Sequence, residues 1–102
     1  MRRYEILLPL RFNDGSAVPK ELIGGVLSSL RERFGAVSFE TQKIRGQWQH
    51  AGEVYRDDLT RIFADVPDTP ENRAWFVTLK ERLKRDFQQL DIWIVTHPFE
   101  IL

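Results

Sequence analysis

The sequence contains no cysteine, and this absence removes three kinds of chemistry. Without thiols there is no disulfide framework, no thiolate zinc site and no cysteine nucleophile. An excess charge of one sign is absent too, since fifteen Lys and Arg residues balance fifteen Asp and Glu residues. No overall field therefore attracts nucleic acid or an anionic membrane, although a neutral chain can still carry a local basic patch.

Long apolar runs are also missing. No window approaches the ~20 apolar residues that a membrane-spanning helix needs, and the opening residues MRRYE lack the apolar region of a signal peptide. We therefore expect a cytoplasmic protein with no membrane partner. The 102 residues are 42% hydrophobic and 29% charged, which is typical of a soluble globular chain. This length predicts one domain with one core, over residues 1–102.

Short motifs that identify an enzyme class are absent as well. The chain has no phosphate-binding loop, no glycine-rich dinucleotide fingerprint, no paired-histidine zinc motif and no nucleophile elbow. This absence disfavours the familiar enzyme classes, and the sequence predicts no cofactor and no metal site.

What the chain does contain is a strand–helix–strand pattern that occurs twice. Strands are predicted at residues 3–12, 37–44, 54–66 and 90–96, and the two helices begin near Pro19 and Pro70. Two such units in about a hundred residues predict an α+β, ferredoxin-like split βαβ domain (βαββαβ). Its four-stranded antiparallel sheet would carry both helices on one face.

Pro9 conflicts with the central position that this fold gives to the first strand. A proline cannot donate to a β-ladder, so it normally occupies an edge strand or a bulge. Either Pro9 lies at a bulge near the end of its strand, or the strand order differs from the predicted one.

The last predicted strand is apolar on both faces. Ile92 and Ile94 share one face, while Trp93 and Val95 share the other, on the side that the helices would leave uncovered. Leu7 of the first strand lies on that same side. Because monomers rarely expose such patches, we expect a homodimer with an interface at Leu7, Trp93 and Val95.

The predicted topology brings the turn at residues 13–16, the stretch 45–52 and the start of the last strand to one end of the domain. The stretch RGQWQHAG, residues 45–52, shows neither strand nor helix periodicity and is predicted to be a loop. Loops that carry an indole and an imidazole often contact ligands. The predicted ligand-binding residues are Arg45, Trp48, His50 and Tyr55.

Asp14 and His50 are the weak catalytic candidates. The pKa of an ordinary histidine lies near neutrality, which suits acid–base chemistry, although no motif surrounds His50. Asp14 follows the first strand and could join Asp58 or Asp91 at a hard divalent cation. The spacing of these residues does not require such a site.

The segments Arg45-Gly46-Gln47-Trp48 and Gly52-Glu53-Val54-Tyr55-Arg56 resemble a pattern in small uncharacterised bacterial proteins, a G-x-W turn followed by G-E-V and a charged strand. This resemblance implies a compact α+β domain of bacterial origin and carries over no activity. A second, topological resemblance is to small ferredoxin-like endoribonucleases of bacterial defence and toxin systems. Those proteins carry an aspartate just after the first strand, where Asp14 lies, and the resemblance implies a dimer that uses metal.

Three functions remain open from the sequence. The first is a dimeric module, without catalytic activity, that binds a small molecule or a protein. The second is a metal-dependent endoribonuclease that uses Asp14, with His50 as its base. The third is a cofactor-free enzyme of the dimeric α+β barrel kind, with His50 or Tyr55 in a pocket between the helices and the sheet.

Overall fold

The structure, a computed structural model, describes all residues from 1 to 102. Its elements in chain order are β1 (Arg2–Pro9), α1 (Lys20–Phe34), β2 (Ser38–Phe39), β3 (Ile44–His50), β4 (Glu53–Val66), α2 (Pro70–Asp86) and β5 (Trp93–Pro98). The predicted α+β class with two helices is confirmed. The predicted count of four strands is wrong, because the chain bends away between Phe39 and Ile44 and divides the second strand into β2 and β3. Neither helix combines the length and apolar composition needed to cross a membrane.

The sheet is antiparallel throughout, in the order β2-β4-β1-β5, with β3 also paired to β4. β1 pairs with β4 from Arg2↔Val66 to Pro9↔Leu59. The first part of β4, residues 53–58, pairs with β3 alone. We name this ribbon, made of β3 and residues 53–58, the arm. It extends about 20 Å beyond the last paired residue of β1, at ~3.4 Å per residue.

The core lies between one face of the sheet and both helices. Tyr4, Ile6 and Leu8 of β1 point into it, and so do alternate residues of β4. The other buried apolar residues are Val18, Val26, Leu30, Ile62, Ala64, Val66, Phe76, Leu79, Leu83, Phe87 and Ile92. Since the helices cover only this face, the opposite face of the sheet, which we name the open face, is left to solvent.

Local signals explain where the helices begin and end. Pro19 immediately precedes α1, and Gly35 ends it with a φ of 84°, a left-handed conformation that favours glycine. α2 begins at Pro70, and the Thr69 hydroxyl accepts a hydrogen bond of 3.2 Å from the Asn72 N–H. This cap satisfies one of the N–H groups that a helix start leaves without a partner.

Pro9 is the last residue of β1, which resolves its conflict with a central strand. The Met1 carbonyl accepts a hydrogen bond from the Phe99 N–H. Because the bonded residues of an antiparallel strand alternate, the odd-numbered residues of β1 direct their backbone N–H and C=O groups towards β5. The pairing of β1 with β5 stops at Leu7↔Trp93, two residues before Pro9. The missing N–H of Pro9 therefore leaves no ladder bond unmade.

The prediction that residues 45–52 form a loop is wrong, because most of them belong to β3. His50 pairs with Glu53, and the two residues between them turn the chain with φ values of 52° at Ala51 and 82° at Gly52. Two positive φ values in a two-residue connection are typical of the tight turns that join twisted hairpin strands. The arm lies beyond the helices, so neither of its faces shows the buried alternation by which a strand is recognised.

Candidate functional site

Ion pairs cover the half of the open face furthest from the arm. Arg3 holds Asp65 through two bonds of 2.7 and 3.0 Å, and its guanidinium lies 4.4 Å from the centre of the Phe63 ring. Arg61 contacts Glu5 at 3.6 Å and also pairs with Glu40. These ion pairs give this half of the face a largely charged surface, with Val95 exposed beside them.

The half nearest the arm forms an apolar groove of about 710 Å³. β1, β3, β4, the segment before β5 and the first residue of β5 supply its apolar and aromatic lining: Leu7, Pro9, Trp48, Tyr55, Leu59, Leu90, Ile92 and Trp93. Trp93 is 65% exposed and Leu90 is 75% exposed, although both are large apolar side chains. We name this the aromatic groove. Such a concave apolar surface is the usual form of a small-molecule site.

Trp48 and Tyr55 form one wall of the aromatic groove as a cross-strand pair. Their rings are stacked, with centres 4.4 Å apart and planes 17° from parallel. The Trp48 indole donates to Asp57 at 2.6 Å, and the Tyr55 hydroxyl donates to Glu53 at 3.2 Å. Because the Glu53 carboxylate favours the protonated phenol, it raises the pKa of Tyr55 above its ordinary value. The two hydrogen bonds and the stack hold both rings in fixed orientations.

The polar lining of the aromatic groove includes two carboxylates but no Lys, Arg or His side chain. Asp91 bonds to Lys80 at 3.1 Å, and this hydrogen bond holds the pKa of Asp91 below its ordinary value. Asp57 is held by the Trp48 indole. The groove is therefore suited to neutral or positively charged groups and unsuited to anions.

The other face of the arm contributes to a second cavity, of about 590 Å³, between the arm and the turn after β1. Arg11, Arg45 and Arg56 line it, and none of the three belongs to an ion pair. We name this the arginine cleft. Asn13, Gly46, Gln47, Tyr55 and Asp57 line both cavities. The two are therefore adjacent at the gap between the arm and the body of the domain.

The structure brings together three of the four predicted ligand-binding residues. Trp48 and Tyr55 line the aromatic groove, while Arg45 and Tyr55 line the arginine cleft. His50 lies near the tip of the arm and lines neither cavity. The sequence prediction missed Leu59, Leu90 and the groove role of Trp93, because it treated residues 45–52 as a loop rather than as a strand with a defined face.

Asp14 also lies outside both cavities. Its carboxylate accepts a hydrogen bond of 2.9 Å from the Ser16 N–H and another from the Ser16 hydroxyl, and these bonds lower its pKa. No three His, Asp or Glu side chains lie close enough together to hold a metal ion. The catalytic roles of Asp14 and His50 stay predictions.

Comparison with known proteins shows a fold and no family. No family model matches the chain, and no curated protein matches its sequence. Among solved structures, a phage SAM lyase in complex with S-methyl-5'-thioadenosine is similar, with a TM-score of 0.70 and 19% identity over 94% of this chain and 79% of the lyase chain. The divalent cation tolerance protein CutA1 from Thermus thermophilus is similar with a TM-score of 0.65 and 20% identity, over 97% of this chain and 84% of the CutA1 chain. CutA1 from Pyrococcus horikoshii is similar with a TM-score of 0.64 and 14% identity, over 100% of this chain and 86% of the CutA1 chain. At these identities the likeness shows the fold alone.

Proposed function

We propose that the protein is a small ligand-binding module and that the aromatic groove is its binding site. The observation that carries this proposal is the concentration of exposed aromatic rings, Trp48, Tyr55 and Trp93, around one concave surface. Aromatic rings left exposed in a concavity gain contact area when a ligand covers them. The carboxylates and amides of the lining supply the few polar groups that would orient the ligand.

The groove favours a planar, nitrogen-containing ring that is neutral or positively charged. Such a ring stacks on indole and phenol faces, and its amino groups can donate to Asp91, Gln89 or Asn13. The nucleoside bound to the similar phage lyase, S-methyl-5'-thioadenosine, belongs to this chemical class and is a suitable first probe.

Tryptophan fluorescence can test this proposal, because the three tryptophans lie in two environments. Trp48 and Trp93 line the groove, whereas Trp75 packs against Phe34 and Phe76 at the helices. We expect S-methyl-5'-thioadenosine to quench the emission saturably. We expect Trp93→Ala to weaken binding about fivefold or more, since base–aromatic stacking contributes about 1–3 kcal/mol.

The matched control is Trp75→Phe, which we expect to bind the nucleoside as the wild type does. The proposal fails if the nucleoside, adenosine and adenine all leave the emission unchanged. It also fails if Trp93→Ala and Trp48→Ala bind them with wild-type affinity.

We further propose that the module is a homodimer that pairs through β5. One edge of β5 has no partner strand, and the segment Trp93-Ile94-Val95-Thr96 carries no charged residue to discourage pairing. Val95 is 40% exposed on the open face beside Trp93. Leu7 lies on β1, between β4 and β5 and away from the free edge of β5, so this proposal rests on Trp93 and Val95.

Light scattering at micromolar concentration would report a dimer of the 12.0 kDa chain. We expect Val95→Lys to yield monomers and Val77→Lys, at an exposed position on α2, to leave the dimer intact. A monomeric wild type at high micromolar concentration would contradict this proposal.

We also assign the fold to the ferredoxin-like split βαβ type, with a second strand that is divided into β2 and β3. The strand order β2-β4-β1-β5 and the placement of both helices on one face support this assignment. No observation favours the nuclease, since no group of three His, Asp or Glu side chains could hold the metal ion. The barrel-type enzyme is not favoured either, because no helix residue lines the aromatic groove or the arginine cleft. A cytoplasmic location and a relation to the bacterial G-x-W proteins stay predictions.

A further inference from the structure

The arginine cleft combines a cavity with three arginines that belong to no ion pair. Arg45 and Arg56 lie on the same face of the arm, since Arg45 pairs with Asp58 and Arg56 is two residues from Asp58. Arg11 reaches the cleft from the chain segment after β1, and its Nη1 donates to the Gly15 carbonyl at 3.1 Å. This bond orients the Arg11 guanidinium and leaves its other N–H groups available.

Two carboxylates also line the cleft, and neither forms an ion pair with one of its arginines. Asp57 accepts the Trp48 indole N–H at 2.6 Å, and Asp58 lies 3.8 Å from the Lys43 ammonium group. The arginines of the open face differ in this respect, since Arg3 and Arg61 hold carboxylates. Three arginines against two carboxylates, one of which is paired with Lys43, leave the cleft with a net positive charge although the whole chain has a formal net charge of zero.

We propose that the arginine cleft binds a phosphoryl group. Guanidinium groups offer paired N–H donors that match phosphate oxygens, and three of them around one small cavity are suited to a compact anion with several oxygens. The cleft borders the aromatic groove at Gly46 and Tyr55. If the groove holds a ring, as the proposed function states, a single phosphorylated nucleoside can place its ring in the groove and its phosphate in the cleft.

The test compares adenosine, AMP and inorganic pyrophosphate by isothermal titration calorimetry with the full chain. We expect AMP to bind about tenfold or more tightly than adenosine, since hydrogen bonds to charged groups contribute more than neutral ones. In the double variant Arg45→Gln/Arg56→Gln, the affinity for AMP should fall to that for adenosine, and the affinity for adenosine should not change. The double variant Arg31→Gln/Arg85→Gln alters two helical arginines outside the cleft and should behave as the wild type does.

The outcomes separate this inference from the proposed function. If adenosine and AMP bind equally tightly, the phosphoryl site is refuted and the groove proposal stands. If pyrophosphate binds in a manner that needs Arg45 and Arg56 while adenosine does not bind, the cleft is supported and the groove is refuted. Equal losses of AMP binding in the cleft variant and the helical control would indicate general charge attraction and would overturn the inference.

Discussion

Replacing Tyr4 by phenylalanine is expected to stabilise the protein. Tyr4 is 3% exposed, and its ring stacks on Phe76 with centres 3.9 Å apart and planes 5° from parallel. Its hydroxyl is buried and has no protein group within hydrogen-bonding distance. The substitution keeps the ring and its stacking partner and removes only the polar atom that lacks a partner.

The magnitude follows from the cost of a buried, unsatisfied hydroxyl, which is about 1–3 kcal/mol. Tyr4→Phe should therefore raise the free energy of unfolding by about 1 kcal/mol. For a domain of this length, such a change corresponds to a rise in Tm of roughly 4 °C. Denaturant unfolding followed by circular dichroism should show a higher midpoint with an unchanged slope. One fixed, low protein concentration should be used throughout, because dimerisation would shift the apparent stability.

Tyr55→Phe is the matched control, since the Tyr55 hydroxyl donates to Glu53 at the exposed arm. It should change the unfolding free energy by no more than about 0.5 kcal/mol. A loss of about 1 kcal/mol or more in Tyr4→Phe would refute the reasoning, because the hydroxyl would then have a stabilising partner.

Three further results are expected. Ala51→Gly should stabilise the arm by up to about 1 kcal/mol, because alanine at a φ of 52° carries a steric cost that glycine avoids. Slower hydrogen exchange of the β3 amides would show this stabilisation, and unchanged exchange would contradict the prediction. Glu53→Gln, made in a Tyr4→Phe background where Tyr55 is the sole tyrosine, should lower the pKa of Tyr55 in an ultraviolet titration, and an unchanged pKa would refute the Glu53 contact. The pKa of Asp91 is lowered in the folded state, so its ion pair with Lys80 stabilises above the ordinary aspartate pKa of about 3.9 and is lost as the pH falls through the folded value. Lys80→Met should therefore destabilise near pH 7 and match the wild type in acid; a difference independent of pH would contradict this.

The parts of the fold that bury a regular apolar pattern could be predicted from the sequence. The alternation of Tyr4, Ile6 and Leu8 predicts β1, and the spacing of Phe76, Leu79 and Leu83 predicts α2, because in both cases one face of the element packs into the core. The apolar character of Trp93 and Val95 likewise predicted the uncovered side of β5.

The arm could not be predicted in the same way, and the candidate site was only partly predicted for that reason. No core lies against β3, so polar residues such as Gln47 and Gln49 occupy one of its faces and Gly46 interrupts the other. Gly52 signals a turn, but alanine at the preceding position does not indicate the positive φ that the hairpin requires. Once β3 is treated as a strand, the pairing of Trp48 with Tyr55 follows from the register.

Because β4 extends beyond β1, alternate backbone amides of the arm are hydrogen-bonded and protected from exchange with solvent. The Asp58 carbonyl accepts from the Leu10 N–H, so even-numbered residues of β4 direct their backbone groups towards the side of β1. Beyond Leu10 no strand pairs with β4 on that side, so the amides of Val54 and Arg56 have no strand partner, whereas those of Tyr55 and Asp57 face β3. Successive amides of one strand should therefore exchange with solvent at fast and slow rates in turn. Any strand or ligand that fills the space beside the arm would remove this alternation, residue by residue.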